Sequence, residues 1–221
     1  SSIEWDEKYQ PSGTIDGIIS DDTANRWSAD GMGNWICYDL GSVKNINSIA
    51  IAGYKAEQRA YTFTVEISQD GTNWEKVTDA QTNAGKQVDV FTLGDKSARY
   101  IKLTGTRVST GTWLGINEVR IYESAKMMED DQSLWNLNFN KEGISGAVGS
   151  SVKLAVLGAD KNGASLTVDA AEVTFGSMDE SVATVDAAGN VKLVGAGETS
   201  IYAEVTVIGM KKRATITVTV E

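Results

Sequence analysis

Histidine is absent from this 221-residue chain, and cysteine occurs once. The first absence excludes Ser-His-Asp and Cys-His catalysis and every histidine-ligated metal site. The second excludes an internal disulfide framework. Cys37 lies between Ile36 and Tyr38 in an apolar run, which reads as a small buried hydrophobe. Basic residues are outnumbered, 20 against 30 acidic ones, for a formal charge of −10. That balance argues against nucleic acid, which needs a Lys/Arg footprint, and against anionic lipid. A local cationic cluster can still override it within a Debye length of ~8 Å, so a negatively charged glycan stays open. The sequence shows no apolar run of membrane length and no secretory leader, so membrane insertion is not expected and the compartment must be read from the domain types.

Hydrophobic residues at 41% and charged residues at 23% suffice for packed cores, in one large domain or two ordinary ones. Period-2 alternation recurs. Phe63, Val65 and Ile67 face one way and Thr62, Thr64 and Glu66 the other; Ile49 and Ile51, Ile101 and Leu103, and Val119 and Ile121 repeat the pattern. Turn signals separate these runs at Gln69-Asp70-Gly71, Ala84-Gly85-Lys86 and Leu93-Gly94-Asp95. No long amphipathic helix is evident. Many short strands at this spacing predict an all-β protein, a sandwich or barrel. Residues 124–133, with Lys126-Met127-Met128-Glu129-Asp130-Asp131, are polar and lack alternation, which places a linker between domains at 1–123 and 134–221. Five of the six Trp precede residue 130, so the first domain is expected to face a ligand.

Carboxylates and amides crowd a Gly-containing loop, Asp16-Gly17 through Asp21-Asp22-Thr23-Ala24-Asn25-Arg26-Trp27-Ser28, ahead of the strand Trp35-Ile36-Cys37-Tyr38-Asp39-Leu40-Gly41. This is how a chain assembles oxygen ligands for a hard cation such as calcium, which takes about six to eight of them; a capped Asx-turn loop without metal is the alternative. Further on come Phe63-Thr64-Val65-Glu66-Ile67-Ser68-Gln69-Asp70-Gly71-Thr72-Asn73-Trp74, Ala98-Arg99-Tyr100-Ile101-Lys102-Leu103 and Ile116-Asn117-Glu118-Val119-Arg120-Ile121-Tyr122. In this order, over roughly residues 10–123, they resemble a discoidin-like (coagulation factor V/VIII C-type) domain of the kind that includes family-32 carbohydrate-binding modules. The resemblance implies a jelly-roll β-sandwich with one structural calcium held by the acidic loop and a Glu of the last strand. Mapped here, the ligands would be Asp16, Asp21, Asp22, Thr23, Asn25 and Glu118. Asp160-Lys161-Asn162-Gly163 looks metal-like but reads as a plain turn.

The segment Gly53-Tyr54-Lys55-Ala56-Glu57-Gln58-Arg59-Ala60-Tyr61 mixes aromatic faces with flexible cationic donors between two strands. Sugar recognition uses that combination, a ring against the C–H face and Arg, Lys or Gln on hydroxyls or carboxylates. The candidates are Tyr54, Lys55, Gln58, Arg59 and Tyr61, with Arg107 and Trp113 from a second polar loop, Thr106 to Trp113. The Gln-Arg-x-Tyr-x-Phe pattern resembles modules attached to polysaccharide lyases, including alginate-active ones, and implies an acidic polysaccharide, since guanidinium grips carboxylate bidentately. Arg59 pairing with Glu57 or Glu66, and Trp113 as a core plug, are the competing readings. Trp27, Trp35 and Trp74 lie inside fold motifs and are expected in the core, while Trp5 and Tyr9 could line the rim.

From residue 134 the pattern changes to Ser177-Met178-Asp179-Glu180-Ser181-Val182-Ala183-Thr184-Val185-Asp186, Gly189-Asn190-Val191, Gly195-Ala196-Gly197-Glu198-Thr199 and the terminal Ala214-Thr215-Ile216-Thr217-Val218-Thr219-Val220. It resembles bacterial Ig-like domains of group 2, which usually act as spacers. Together the resemblances imply a non-catalytic carbohydrate-binding module with a spacer, monomeric within a larger secreted or cell-surface chain. Adhesion to a protein surface is the alternative and predicts an exposed apolar patch. Glycoside cleavage needs only paired carboxylates, so composition leaves it open, but the acidic cluster reads as metal ligands.

Overall fold

The computed structural model describes residues 9–19, 21, 25–131, 134–160, 163–207 and 210–221. It divides into two compact units, residues 1–129 and 130–221. A short 3-10 turn, Pro11–Thr14, opens the first unit. Its six strands are β1 (Trp27–Asp30), β2 (Trp35–Gly53), β3 (Tyr61–Ser68), β4 (Glu75–Gln81), β5 (Asp89–Val108) and β6 (Trp113–Tyr122). They form one sheet in the order β1-β6-β2-β5-β3-β4.

β2 and β5 are unusually long, and both bend. Trp35 to Asp39 pair with Tyr100 to Thr104, and Ser48 to Ile51 pair with Asp89 to Thr92. Between these stretches the backbone turns through positive φ at Gly41 (78°), Gly94 (79°) and Asp95 (50°). The bends fold the sheet over, giving two layers with one core. Ile36, Tyr38, Phe63, Val65, Ile101 and Leu103 from one layer share that core with Trp27, Ile49, Ile51, Leu114 and Ile116 from the other. Fully burying each such side chain contributes ~1.5–3 kcal/mol.

The alternation of β3 is observed as expected, with Tyr61, Phe63, Val65 and Ile67 inward. Two expectations are corrected by the same rule. Cys37 and Trp35 occupy the outward positions of β2 because Ile36 and Tyr38 take the inward ones; Trp35 is 38% exposed and Cys37 half-buried. Trp74 is also outside the core, half-buried with Lys102 Nζ 4.3 Å from its ring centroid.

The expected linker contains helix α1 (Ala125–Asp131), with Ser124 Oγ accepting from Met127 N–H. The second unit contains β7 (Asn136–Phe139), β8 (Gly143–Gly146), β9 (Ser151–Lys153), β10 (Val156–Ala159), β11 (Ser165–Leu166), β12 (Thr174–Ser177), β13 (Ala183–Val185), β14 (Asn190–Leu193), β15 (Gly197–Val207) and β16 (Met210–Val220). They pair as β11-β10-β7, β12-β15-β16-β8 and β13-β14-β9, with β8 parallel to β16. Leu137, Leu154, Val191, Leu193, Ile201, Ala203, Ile216 and Val218 form its core. Lys161 and Asn162 of the expected turn lie outside the described residues; on either side of them Asp160 Oδ1 accepts from Ala164 N–H, and Gly163 N–H donates to the Asp160 carbonyl.

Candidate functional site

Four chain segments meet at one end of the first unit. Ala60 and Ser109 exchange two hydrogen bonds, Ser109 N–H to the Ala60 carbonyl at 2.8 Å and Ala60 N–H to Ser109 Oγ at 2.9 Å. Gly85 N–H donates to the Ala56 carbonyl at 2.8 Å, and Gly31 N–H to the Thr112 carbonyl at 3.0 Å. The 54–60 loop is thereby fixed beside 106–113, with Gln58 and Arg107 exposed and Lys55, Arg59 and Trp113 half-buried. Trp113 opens β6 opposite Asp30. Tyr54 lies on Gly115, where a Cβ would come within 2.8 Å of the Tyr54 Cβ.

Tyr61 does not belong on the rim. It is 1% exposed, stacks on Phe63 at 6.0 Å, and its hydroxyl donates to the Tyr54 carbonyl at 2.7 Å. Burial raises the Tyr61 phenol above its ordinary value, and a hydrogen bond with Arg59 opposes that shift. Glu66 pairs with Lys102 instead of Arg59, and Arg59 lies near the Tyr61 phenol.

One rim element was not singled out from the sequence. The Arg26 guanidinium lies 4.0 Å from the Tyr9 ring centroid and 4.1 Å from that of Tyr54, a cation held between two aromatic faces. Lys55 Nζ is 5.4 Å from the Tyr54 ring. Tyr9 is thereby placed beside Tyr54 through Arg26, a residue whose sequence setting marks it only as part of the motif ahead of β1. Trp5 lies outside the described residues.

The acidic loop is tied to β6 by a local irregularity. Ala52 pairs with Glu118 but Gly53 with Ile116, so Asn117 is the extra residue of a bulge. A bulge re-aims side chains, and Asn117 and Glu118 both reach the same loop. Glu118 Oε2 accepts from Gly17 N–H at 3.3 Å, and Asn117 Nδ2 donates to Asp21 Oδ1 at 2.9 Å. Asp16 Oδ1 accepts from Ile18 N–H at 2.9 Å, and Asp16 Oδ2 from Asn25 Nδ2. Asp21 Oδ1 also accepts from Lys55 N–H at 2.8 Å, holding Lys55 at φ 51°. Asp21 is therefore the joint between the acidic loop and the cationic rim.

Glu118 is 5% exposed, with Arg120 Nε 3.6 Å away. Asn117 Oδ1 is buried with no hydrogen-bond partner among the described residues. An orphaned amide oxygen beside a carboxylate suits a hard cation, and the donors here are all oxygen. Among the described residues no three acidic, Cys or His side chains converge on one point. Asp22 and Thr23 lie outside the described residues.

The profile of the F5/8 type C domain matches residues 1–119. The CBM32 of AlyQ, solved in complex with 4,5-unsaturated mannuronic acid, is 32% identical over 54% of this chain and 89% of its own, with a TM-score of 0.50. A pectin-binding carbohydrate-binding module is 30% identical over 52% of this chain and 80% of its own, with a TM-score of 0.47. The polysaccharide lyase 8 family protein HylA of Enterococcus faecalis is 25% identical over 211 residues, covering 91% of this chain. The chain spans 14% of the length of that relative.

Proposed function

Because this chain belongs to the F5/8 type C domain family, we propose that its first unit is a non-catalytic carbohydrate-binding module that holds a larger secreted or cell-surface glycan-degrading protein against an acidic polysaccharide. The observation that carries this reading is the rim itself. On a chain of net charge −10, Arg26, Lys55, Arg59 and Arg107 gather with Tyr9, Tyr54 and Trp113 around one end of a rigid sandwich. Guanidinium and ammonium groups pair with uronate carboxylates, and exposed ring faces accept sugar C–H groups. The likeness to a module solved with a uronic acid supports the acidic class. A shallow exposed site buries little area, so affinity is expected on the order of 0.1–1 mM. Its benefit to a tethered enzyme is effective concentration.

Asp16, Asp21, Asp22, Thr23, Asn25 and Glu118, with Asn117 Oδ1 added, are the residues that would hold calcium. The ion would act as a structural brace, drawing the acidic loop onto β6. A rise in the unfolding temperature with calcium, reversed by a chelator, tests this; an unchanged temperature overturns it. We assign the second unit as an Ig-like spacer of the group 2 kind, a reading supported by the Ala183–Val185 and Asn190–Leu193 hairpin closed at Gly189.

Retention on alginate, pectin and neutral plant glycans tests the function, with Arg59→Ala and Trp113→Ala as site variants. Binding to a uronate polymer that either variant weakens with folding intact is the expected result. No retention on any of them, with calcium present, overturns the reading in favour of a protein partner.

A further inference from the structure

Two large apolar side chains stand in water beside the rim, Trp35 at 38% exposure and Met32 at 42%. A scattered surface hydrophobe means little by itself, but this pair stands on a loop pinned from several sides. Gly33 N–H donates to the Gly105 carbonyl at 2.8 Å, and Gly105 N–H to the Asn34 carbonyl at 2.9 Å. The Asn34 side-chain amide donates to the Asp30 and Gly31 carbonyls at 2.7 and 2.9 Å, closing a turn that takes positive φ at Gly31 and Gly33. Gly31 is bonded in turn to Thr112 of the rim. A fixed backbone thus presents an indole and a thioether to solvent, and a contact made there has little loop ordering left to offset.

The surface next to Trp35 carries hydroxyls. Trp35 pairs with Thr104, and Thr104 with Thr64, so the three share one outer face with neighbours ~5 Å apart. Thr106 follows on β5, its hydroxyl donating to the Thr62 carbonyl at 3.1 Å, and exposed Arg107 of the rim comes next. Charged groups on this face are matched, Lys102 with Glu66 and Lys76 with Asp79. The strip from Trp35 to Thr106 therefore offers a ring and hydroxyls against a balanced background of charge.

Resting on the reading of the first unit as a carbohydrate-binding module, we propose that this strip is a second glycan subsite, with Trp35 as its stacking platform and Thr104 and Thr106 as its hydroxyl contacts. An indole face accepts sugar C–H groups, and threonine hydroxyls exchange hydrogen bonds with sugar hydroxyls. Arg107 lies three residues along β5 from Thr104, ~10 Å at the rise of a strand. A single sugar ring does not span that distance. The ligand is thus an internal stretch of polysaccharide, with carboxylates on the cationic rim and the C–H face of a ring further along on Trp35. The rim reads charge, and the strip reads chain length.

Calorimetric titration of the full chain with alginate and pectin oligosaccharides of increasing length, with calcium present, is the test. The wild type is expected to gain roughly tenfold in affinity from disaccharide to long oligomer, the size of one stacking contact. Trp35→Ala is expected to lose that gain with its disaccharide affinity unchanged, and Trp35→Phe to keep part of it. A wild type without the gain, a Trp35→Ala chain that retains it, or a loss equal for disaccharide and oligomer overturns the subsite while leaving the module reading intact. A wild type that binds no oligosaccharide of any length overturns that reading and the subsite with it. If Trp35→Ala fails to fold, the Trp35 indole N–H resonance of the wild type decides, assigned by its disappearance in Trp35→Phe. A shift with the long oligomer alone is the expected result, and any other pattern overturns the subsite.

Discussion

The two units use the same residue type in their loops for opposite purposes. In the second unit three loop aspartates each close their own turn. Asp169 accepts from Ala171 N–H, Asp179 from Ser181 N–H and Oγ–H, and Asp186 from the Ala188 and Asn190 N–H groups. In the first unit the informative carboxylates reach across the fold. Asp21 joins Asn117 to Lys55, and Glu118 accepts from Gly17 N–H, 101 residues away in sequence. A self-capped turn spends its acceptors locally and is complete without a ligand. A cross-loop carboxylate positions other segments, and that is where a site can assemble.

The largest expected effect strikes the first unit alone. Glu118→Ala removes a buried partner of Arg120 and releases Gly17, and is expected to destabilise that unit by about 3 kcal/mol. Calorimetry should show one transition moving and the other unchanged; a shift of both would break the distinction between the units. Next comes the function readout. Arg59→Ala is expected to weaken retention on a uronate polymer by roughly tenfold, the value of one charge-assisted hydrogen bond, without changing thermal unfolding.

A matched pair sharpens the comparison further. Asp21→Ala should reduce glycan retention because Lys55 loses its anchor, while Asp186→Ala should leave retention unchanged. Equal loss in affinity electrophoresis would refute the assignment of joint and turn. Tyr61→Phe should cost about 1 kcal/mol through the lost bond to the Tyr54 carbonyl, read as a lower denaturant midpoint.

Acid titration gives the smallest effect. Asp70 is held below its ordinary 3.8 chiefly by the Asn73 backbone N–H, Asp179 by the Ser181 hydroxyl and Asp186 by the Asn190 amide. Folding lowers these values, so their stabilisation is complete above 3.8 and fades as pH falls further. Asp186→Asn should flatten the second unit's stability slope below that pH; an unchanged slope refutes the attribution.

Much of this was legible in the chain. Period-2 alternation predicted the inward face of β3, and applied consistently it also places Tyr61 inside with Phe63, and Trp35 outside with Cys37. At these positions periodicity outweighs the loop motif around Tyr61 and the fold motif around Trp35. The same alternation sets Lys212 among core positions of β16. The rim stack of Tyr9, Arg26 and Tyr54 was not legible, because its members lie far apart in sequence and nothing local signals their meeting.

The sequence by itself determined an all-β chain with a loop-borne acidic cluster and an aromatic-cationic segment, because alternation, turn residues and charge are local properties. Only the tertiary structure decided that Asn117 is bulged, that Asp21 bridges the acidic loop to Lys55, and that Lys212 finds Asp131. Register and burial belong to pairs of segments brought together, and no single segment contains them.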